Sequence, residues 1–214
     1  MLRIIIGVYW GPRRESISEC ASRLGQHFEA LKVSSDGLSQ WYRQGRRKPE
    51  ATNPFDVSSS EVLAQLLERG VNRRDDNRQG IPELGFRVSL WNGDRSGCSA
   101  STQVGCGMCS PVKGLSNVAL LDVSLSPGAA LKPKEMVMLL KRMIEIWDPD
   151  TGKVFRNVDV PGKGDNGPDW EEVVYALYQT LSTSEEQSVP TGTVEPFARG
   201  RLWIGSNQRH LFEP

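Results

Sequence analysis

The chain has only two histidines in 214 residues, and they stand at opposite ends, His27 and His210. That scarcity leaves little room for a Ser-His-Asp or Cys-His nucleophile, and no Gly-x-Ser-x-Gly turn is present to hold one. Net charge is also missing. Lys+Arg and Asp+Glu number 26 each, so no bulk field gathers a polyanion or an anionic membrane surface. No apolar run approaches the roughly 20 residues of a bilayer span. The first such run, around Ile4 to Val8, is followed by Pro12-Arg13-Arg14 without a small-residue cleavage site, which argues against a secretory signal. The four cysteines then read as free thiols in a reducing compartment, and the cytoplasm is the expected location. No repeat period is visible, and a chain of this length can bury a core without disulfides or metal.

What is present begins with a strand, Ile4 to Val8, that runs through Tyr9-Trp10-Gly11-Pro12-Arg13-Arg14-Glu15-Ser16 into an amphipathic helix. Ser16 and Glu19 form a capping box, and Ile17, Cys20, Ala21, Leu24, Phe28 and Leu31 recur on one face. A second helix starts at Ser58 with Glu61 and stops at Gly70, placed for a left-handed cap. Leu38 to Tyr42 adds a helical turn, and the basic segment Arg43 to Pro54 reads as a surface loop. Strands are expected over Leu84 to Trp91, Ser101 to Gly105 and Val118 to Leu125, as an antiparallel meander. A third helix begins near Pro133 and ends at Asp148-Pro149. A strand over Val154 to Val160 follows, and a fourth helix is capped by Asp169 and Glu172. Leu202 to Ile204 is the last strand. The expectation is a single α+β domain over residues 1–214, a mostly antiparallel sheet with about four helices mainly on one face. Residues 182–192 read as a flexible loop and 206–214 as a frayed tail.

Few residue constellations carry chemistry. Gly162-Lys163-Gly164-Asp165-Asn166-Gly167 is a formal G-x-G-x-x-G between a strand and a helix, the setting of a dinucleotide site. No second strand ending in an acid follows, and Pro161 and Pro168 bracket the glycines, which favours a plain connection. Cys106-Gly107-Met108-Cys109 with Cys98 has half the spacing of a zinc knuckle, but a fourth ligand is wanting. A nucleotide enzyme and a zinc module are therefore the alternatives, and no catalytic, cofactor or metal residue is assigned. The clusters Arg43 to Lys48 and Arg73-Arg74 have acids beside them and no interleaved aromatics, so they read as solvated loops rather than a nucleic-acid platform. Tyr9 and Trp10 with Arg13 and Arg14 suit recognition of another surface. Trp10 and Trp41, each at the edge of an element beside arginines, are candidate binding anchors, with burial in the core as the alternative. Arg13 and Glu15 are read as pairing with each other to brace the turn.

Several ordered blocks carry a resemblance: Trp10 through Ser16, Cys20-Ala21 with Arg23 and Leu24, Leu31, Leu38 through Gly45, Leu84-Gly85-Phe86, Trp91-Asn92-Gly93, Cys106-Gly107 and Trp147-Asp148-Pro149-Asp150. Together they resemble the immunity-protein family numbered 52 of bacterial polymorphic toxin systems, which includes immunity proteins of type VI secretion. The resemblance implies an α+β protein that protects its cell by binding a toxin with a restriction-endonuclease-like domain. Such an inhibitor needs no catalytic centre, cofactor or metal, and the balanced charge read above gives no support to a membrane or a direct nucleic-acid partner. The resemblance also implies acidic side chains offered to a basic toxin cleft, for which Asp75, Asp76, Asp94, Asp148, Asp150, Glu171 and Glu172 are the candidates.

Overall fold

The computed structural model describes residues 2–43, 54–94, 97–126, 132–159, 170–181 and 192–205. Ile4, Ile6, Val8 and Trp10 fall at alternate positions of β1 (Leu2–Trp10), so they share one face and are buried. The chain then enters α1 (Ile17–Ser34), whose N-terminus is closed by the expected reciprocal Ser16–Glu19 capping box. A 3-10 turn at Asp36–Leu38 leads to the short β2 (Tyr42–Arg43), and α2 (Ser60–Arg69) follows. Next come β3 (Phe86–Trp91), β4 (Cys98–Cys106) and β5 (Asn117–Leu125), paired antiparallel as the expected meander. After α3 (Pro133–Trp147) the chain forms β6 (Thr151–Asp159), β7 (Trp170–Thr180), β8 (Gly192–Phe197) and β9 (Gly200–Gly205). The strands make a nine-stranded antiparallel sheet of order β2-β3-β4-β5-β1-β6-β7-β9-β8. The helices cover one face of it. Strands β4 and β5 bury every second residue against them, Ala100, Val104, Leu121 and Val123 among these.

The described residues contain three α-helices, not about four. The segment expected to be the fourth is β7, hydrogen-bonded to β6 on one side and β9 on the other. Both of its faces are covered through Tyr175, Ala176, Leu177 and Tyr178, which gives the continuous apolar run that periodicity alone cannot tell from a buried helix. Its β-branched and aromatic content fits a pleated surface, and sheet pairing overrides the apparent cap. In α2 the capping side chain is Ser59, accepting from the Val62 amide, rather than Ser58. Gly70 is not left-handed, with φ −85°. Glycine is needed there because a Cβ would stand 2.0 Å from the Arg87 carbonyl oxygen, where the helix end meets β3. The loop expected over Arg43 to Pro54 is described only at its two ends, and the G-x-G-x-x-G at 162–167, Asp169 and the tail 206–214 lie outside the described residues. So does the expected loop at 182–192 except for Gly192, which opens β8.

An aromatic row joins the layers. Trp10 stacks on Trp147 with centroids 5.2 Å apart, Trp147 meets the His27 edge at 6.0 Å, and Phe28 continues to Trp41 at 5.7 Å. His27 is fully buried within it. The Trp147 indole N–H donates to His27 Nδ1 at 3.4 Å, His27 Nε2 lies 3.2 Å from Thr102 Oγ1, and the Thr102 hydroxyl donates to the Leu120 carbonyl at 2.8 Å. This relay calls for the neutral imidazole with its proton on Nε2, and burial lowers the His27 pKa to about 4. Between pH 6.5 and 4 the unfolded chain binds a proton that the folded chain refuses. His27 should therefore lower stability by about 1.4 kcal/mol per unit as pH drops through that window, and add no further loss below it. Urea denaturation at stepped pH checks this. His27→Gln should flatten the slope, and an unchanged slope in that variant would refute the assignment.

Candidate functional site

The turn from β1 into α1 and the end of α3 come together as a clamp. Asp148 ends the helix in the left-handed region at φ 46°, and Pro149 prevents its continuation. The carbonyls left open there are capped by two guanidinium groups. Arg13 Nη2 donates to the Trp147 carbonyl at 2.8 Å and Nη1 to that of Asp148 at 3.3 Å, while Arg23 donates to the Ile146 carbonyl. The arginines converge on Glu15, whose side chain is 6% exposed, with Arg23 Nε 2.9 Å and Arg13 Nε 3.3 Å from its carboxylate oxygens. Arg13 also lies over the Trp10 ring at 5.2 Å. The expected Arg13–Glu15 pairing is thus present, and Arg23 is the partner the sequence reading left without a role. Asp150 completes the clamp, accepting from the Gly11 amide at 2.9 Å and donating its own amide to the Tyr9 carbonyl.

The residues expected to meet a partner divide accordingly. Trp10 and Trp41 are 3% and 0% exposed, so the anchor role expected of them is replaced by burial. The Trp41 indole N–H is satisfied internally by the Leu38 carbonyl. Asp148 holds Arg199 at 2.6 Å and Asp150 holds Gly11, so both carboxylates have internal partners. Arg14 is exposed and lines a cleft of about 640 Å³ with Val71, Pro82 and Phe86. Asp75 and Asp76 are exposed in the turn closed by the Arg73–Gly80 bridge, remote in sequence from the clamp. Tyr9 is half-buried on the sheet face opposite the helices. The cysteines do not gather: Cys98 and Cys106 stand at the two ends of β4, about 26 Å apart at 3.3 Å per residue. Cys106 instead neighbours Cys20, and this contact with burial pushes its thiol pKa up.

The face away from the helices is the broad feature that sequence reading missed. Ile5, Tyr9, Val118 and Leu120 are half-buried there, beside the nearly covered Phe155 and Leu177. Gly7 makes room for this arrangement, since a Cβ would stand 2.7 Å from Leu120 and 2.9 Å from the Tyr9 hydroxyl. Tyr9, Thr151, Lys153 and Leu177 line a hollow of about 270 Å³. The pleat offered a signal, because these residues fall at the alternate strand positions once register is known.

A family model described as immunity protein 52 matches residues 4–179. The chain belongs to the immunity protein 52 family. No curated protein matches it. The matched span opens in β1 and closes in β7, so β8 and β9 extend the sheet beyond it. Within the span, the blocks that carried the resemblance are largely internal fastenings. Besides the clamp, Asn92 donates to the Gly37 and Cys98 carbonyls and accepts from the Ala100 amide, and Gly107, at φ 72°, packs against Phe86. Replacing Glu15 with glutamine should leave two part-buried guanidiniums short of a counter-charge and lower the unfolding free energy by about 2 kcal/mol. Urea titration checks it, and a loss under about 0.5 kcal/mol, the range of an ordinary surface change, would show that the clamp does not brace the fold.

Proposed function

We propose that this immunity protein neutralises a secreted nuclease toxin in the cytoplasm by stoichiometric binding. The toxin would be a restriction-endonuclease-like effector of a type VI secretion or related polymorphic system. The family match over residues 4–179 carries the reading, and the broad sheet, with the described helices on one face, supports it. Inhibition of this kind needs a rigid scaffold and a complementary surface. The clamp and the aromatic row supply the rigidity, and the half-buried face around Tyr9 supplies surface whose shape is fixed before a partner arrives, which lowers the ordering cost of binding. Arg14, Asp75 and Asp76, exposed on a different part of the molecule, would contribute where the toxin reaches them.

The test pairs the purified protein with the toxin encoded beside it, using calorimetry and a nuclease assay. One equivalent should abolish cleavage, with a dissociation constant on the order of nanomolar, as for stable inhibitor complexes. Binding absent at micromolar concentration, with cleavage undiminished, would overturn the proposal.

A further inference from the structure

An open sheet ends in two strands that each leave one side of their backbone unpaired, and such a side is a template for another strand. Here the edges are β2, with two residues, and β8, with six, so β8 is the long one. Among the described residues only β9 pairs with it, and Gly192, Thr193 and Val194 are exposed, Val194 by 53%. The two strands are joined by Ala198-Arg199, and Ala198 takes the positive φ, 46°, that a two-residue hairpin turn needs at its first position. The pair flanking such a turn, Phe197 and Gly200, is of the hydrogen-bonded kind, so by alternation the backbone groups of Glu195 and Thr193 also face β9. Those of Val194, with the Pro196 carbonyl, then point away from the sheet. Pro196 fits this placement, because proline is tolerated in an edge strand where its missing N–H would face outward. The strand is also held from the helical side, where Lys141 of α3 meets Glu195 at 2.5 Å and lies 5.4 Å over the Phe197 ring.

We infer that the toxin docks by adding an extended segment to the open edge of β8, with a β-branched or aromatic residue opposite Val194. The inference rests on the immunity reading and names the mode of that binding. Val194 pairs with Trp203, half-buried beside it on the face away from the helices, and an apolar neighbour on the added strand covers the part of Val194 left in water. Such an edge selects a polypeptide, because its donor and acceptor lie in the plane of the sheet at the spacing of another peptide backbone, and a nucleic acid offers no matching ladder. A second copy of the chain is disfavoured. Laid antiparallel about Val194, it would set a Pro196 at each end of the new ladder and lose two donors, where a toxin strand meets only one proline. A two-fold contact of six residues is also only about 20 Å long and one strand thick, short of the roughly 800 Å² that each partner in a stable complex buries. A toxin strand brings the body of its own fold over the adjoining face as well.

Two variants of Val194 separate backbone pairing from side-chain contact. Val194→Pro removes the outward N–H and leaves the bonds to β9 alone, as Pro196 does two residues on, whereas Val194→Thr keeps both backbone groups and the branched shape. Circular dichroism and thermal midpoints confirm that both fold. Val194→Pro should bind the toxin encoded beside the chain at least thirtyfold more weakly, while Val194→Thr stays within fivefold of wild type. In the wild-type protein the Val194 amide, followed by nuclear magnetic resonance, should exchange with solvent at least a hundredfold more slowly in the complex than alone. Tight binding retained by Val194→Pro, equal losses in the two variants, or a Val194 amide that the toxin leaves unprotected overturns strand addition and leaves the immunity reading intact. Absence of wild-type binding at micromolar concentration overturns both. Should Val194→Pro misfold, amide exchange in the wild type decides alone. A wild-type dimer in sedimentation that Val194→Pro dissolves would overturn the inference in favour of a second copy.

Discussion

The arrangement around Glu15 is the constraint on which the rest of the molecule leans. Two guanidiniums close the end of α3, and one nearly buried carboxylate keeps them there. An exposed ion pair contributes little, because water screens it and two long side chains must be held still. Here the geometry differs, since each arginine is fixed at a helix carbonyl before it reaches Glu15, and the acid is itself fixed by the turn that opens α1. Removing the acid leaves positive charge at the layer interface, so the cluster enforces one relative placement of β1, α1 and α3. Those three elements bring together the central strand of the sheet and the helix that crosses it.

The same placement aligns the aromatic row and explains why a histidine can sit in the core. A buried imidazole is tolerable only when neutral and fully hydrogen-bonded. His27 meets both conditions because α3 supplies an indole donor and β4 a hydroxyl acceptor, which in turn discharges its proton onto a β5 carbonyl. A shift of α3 by one helical turn would break the relay and unstack Trp10 from Trp147 together. The charge cluster and the relay therefore report on a single packing geometry from two ends of α3.

How much of this could be read from the chain follows from what each feature depends on. The capping box of α1, the Asp148-Pro149 stop and the meander were legible because they are local: a cap needs a side chain and an amide three residues away, and a turn needs its own glycines. The β7 segment was misread because a strand covered on both faces carries no period, and β8, with Pro196 and two exposed threonine and valine positions, carries too little apolar content to announce itself. The candidate anchors Trp10 and Trp41 were partly misplaced for a related reason. An indole beside arginines looks the same in sequence whether the arginines flank an exposed ring or cap a helix over a buried one. Only the approach of α3, some 135 residues along the chain from Arg13, decides it.

Recognition motifs and docking surface also separate for a physical reason. A residue that fastens two layers is held in place by many neighbours at once, so few substitutes fit, and such residues dominate any pattern by which a chain is recognised. A docking face answers to its partner instead. Outward pleat positions lie on strands far apart in sequence, those of Arg3 and Arg201 at nearly opposite ends of the chain, and they form one face only after nine strands have found their register. A net charge of zero says nothing about any one face, because it sums over the whole chain. On this argument the blocks that place the chain in its family define the scaffold, and partner choice rests with the pleat positions between them, where a side chain can change sign without disturbing the clamp or the core.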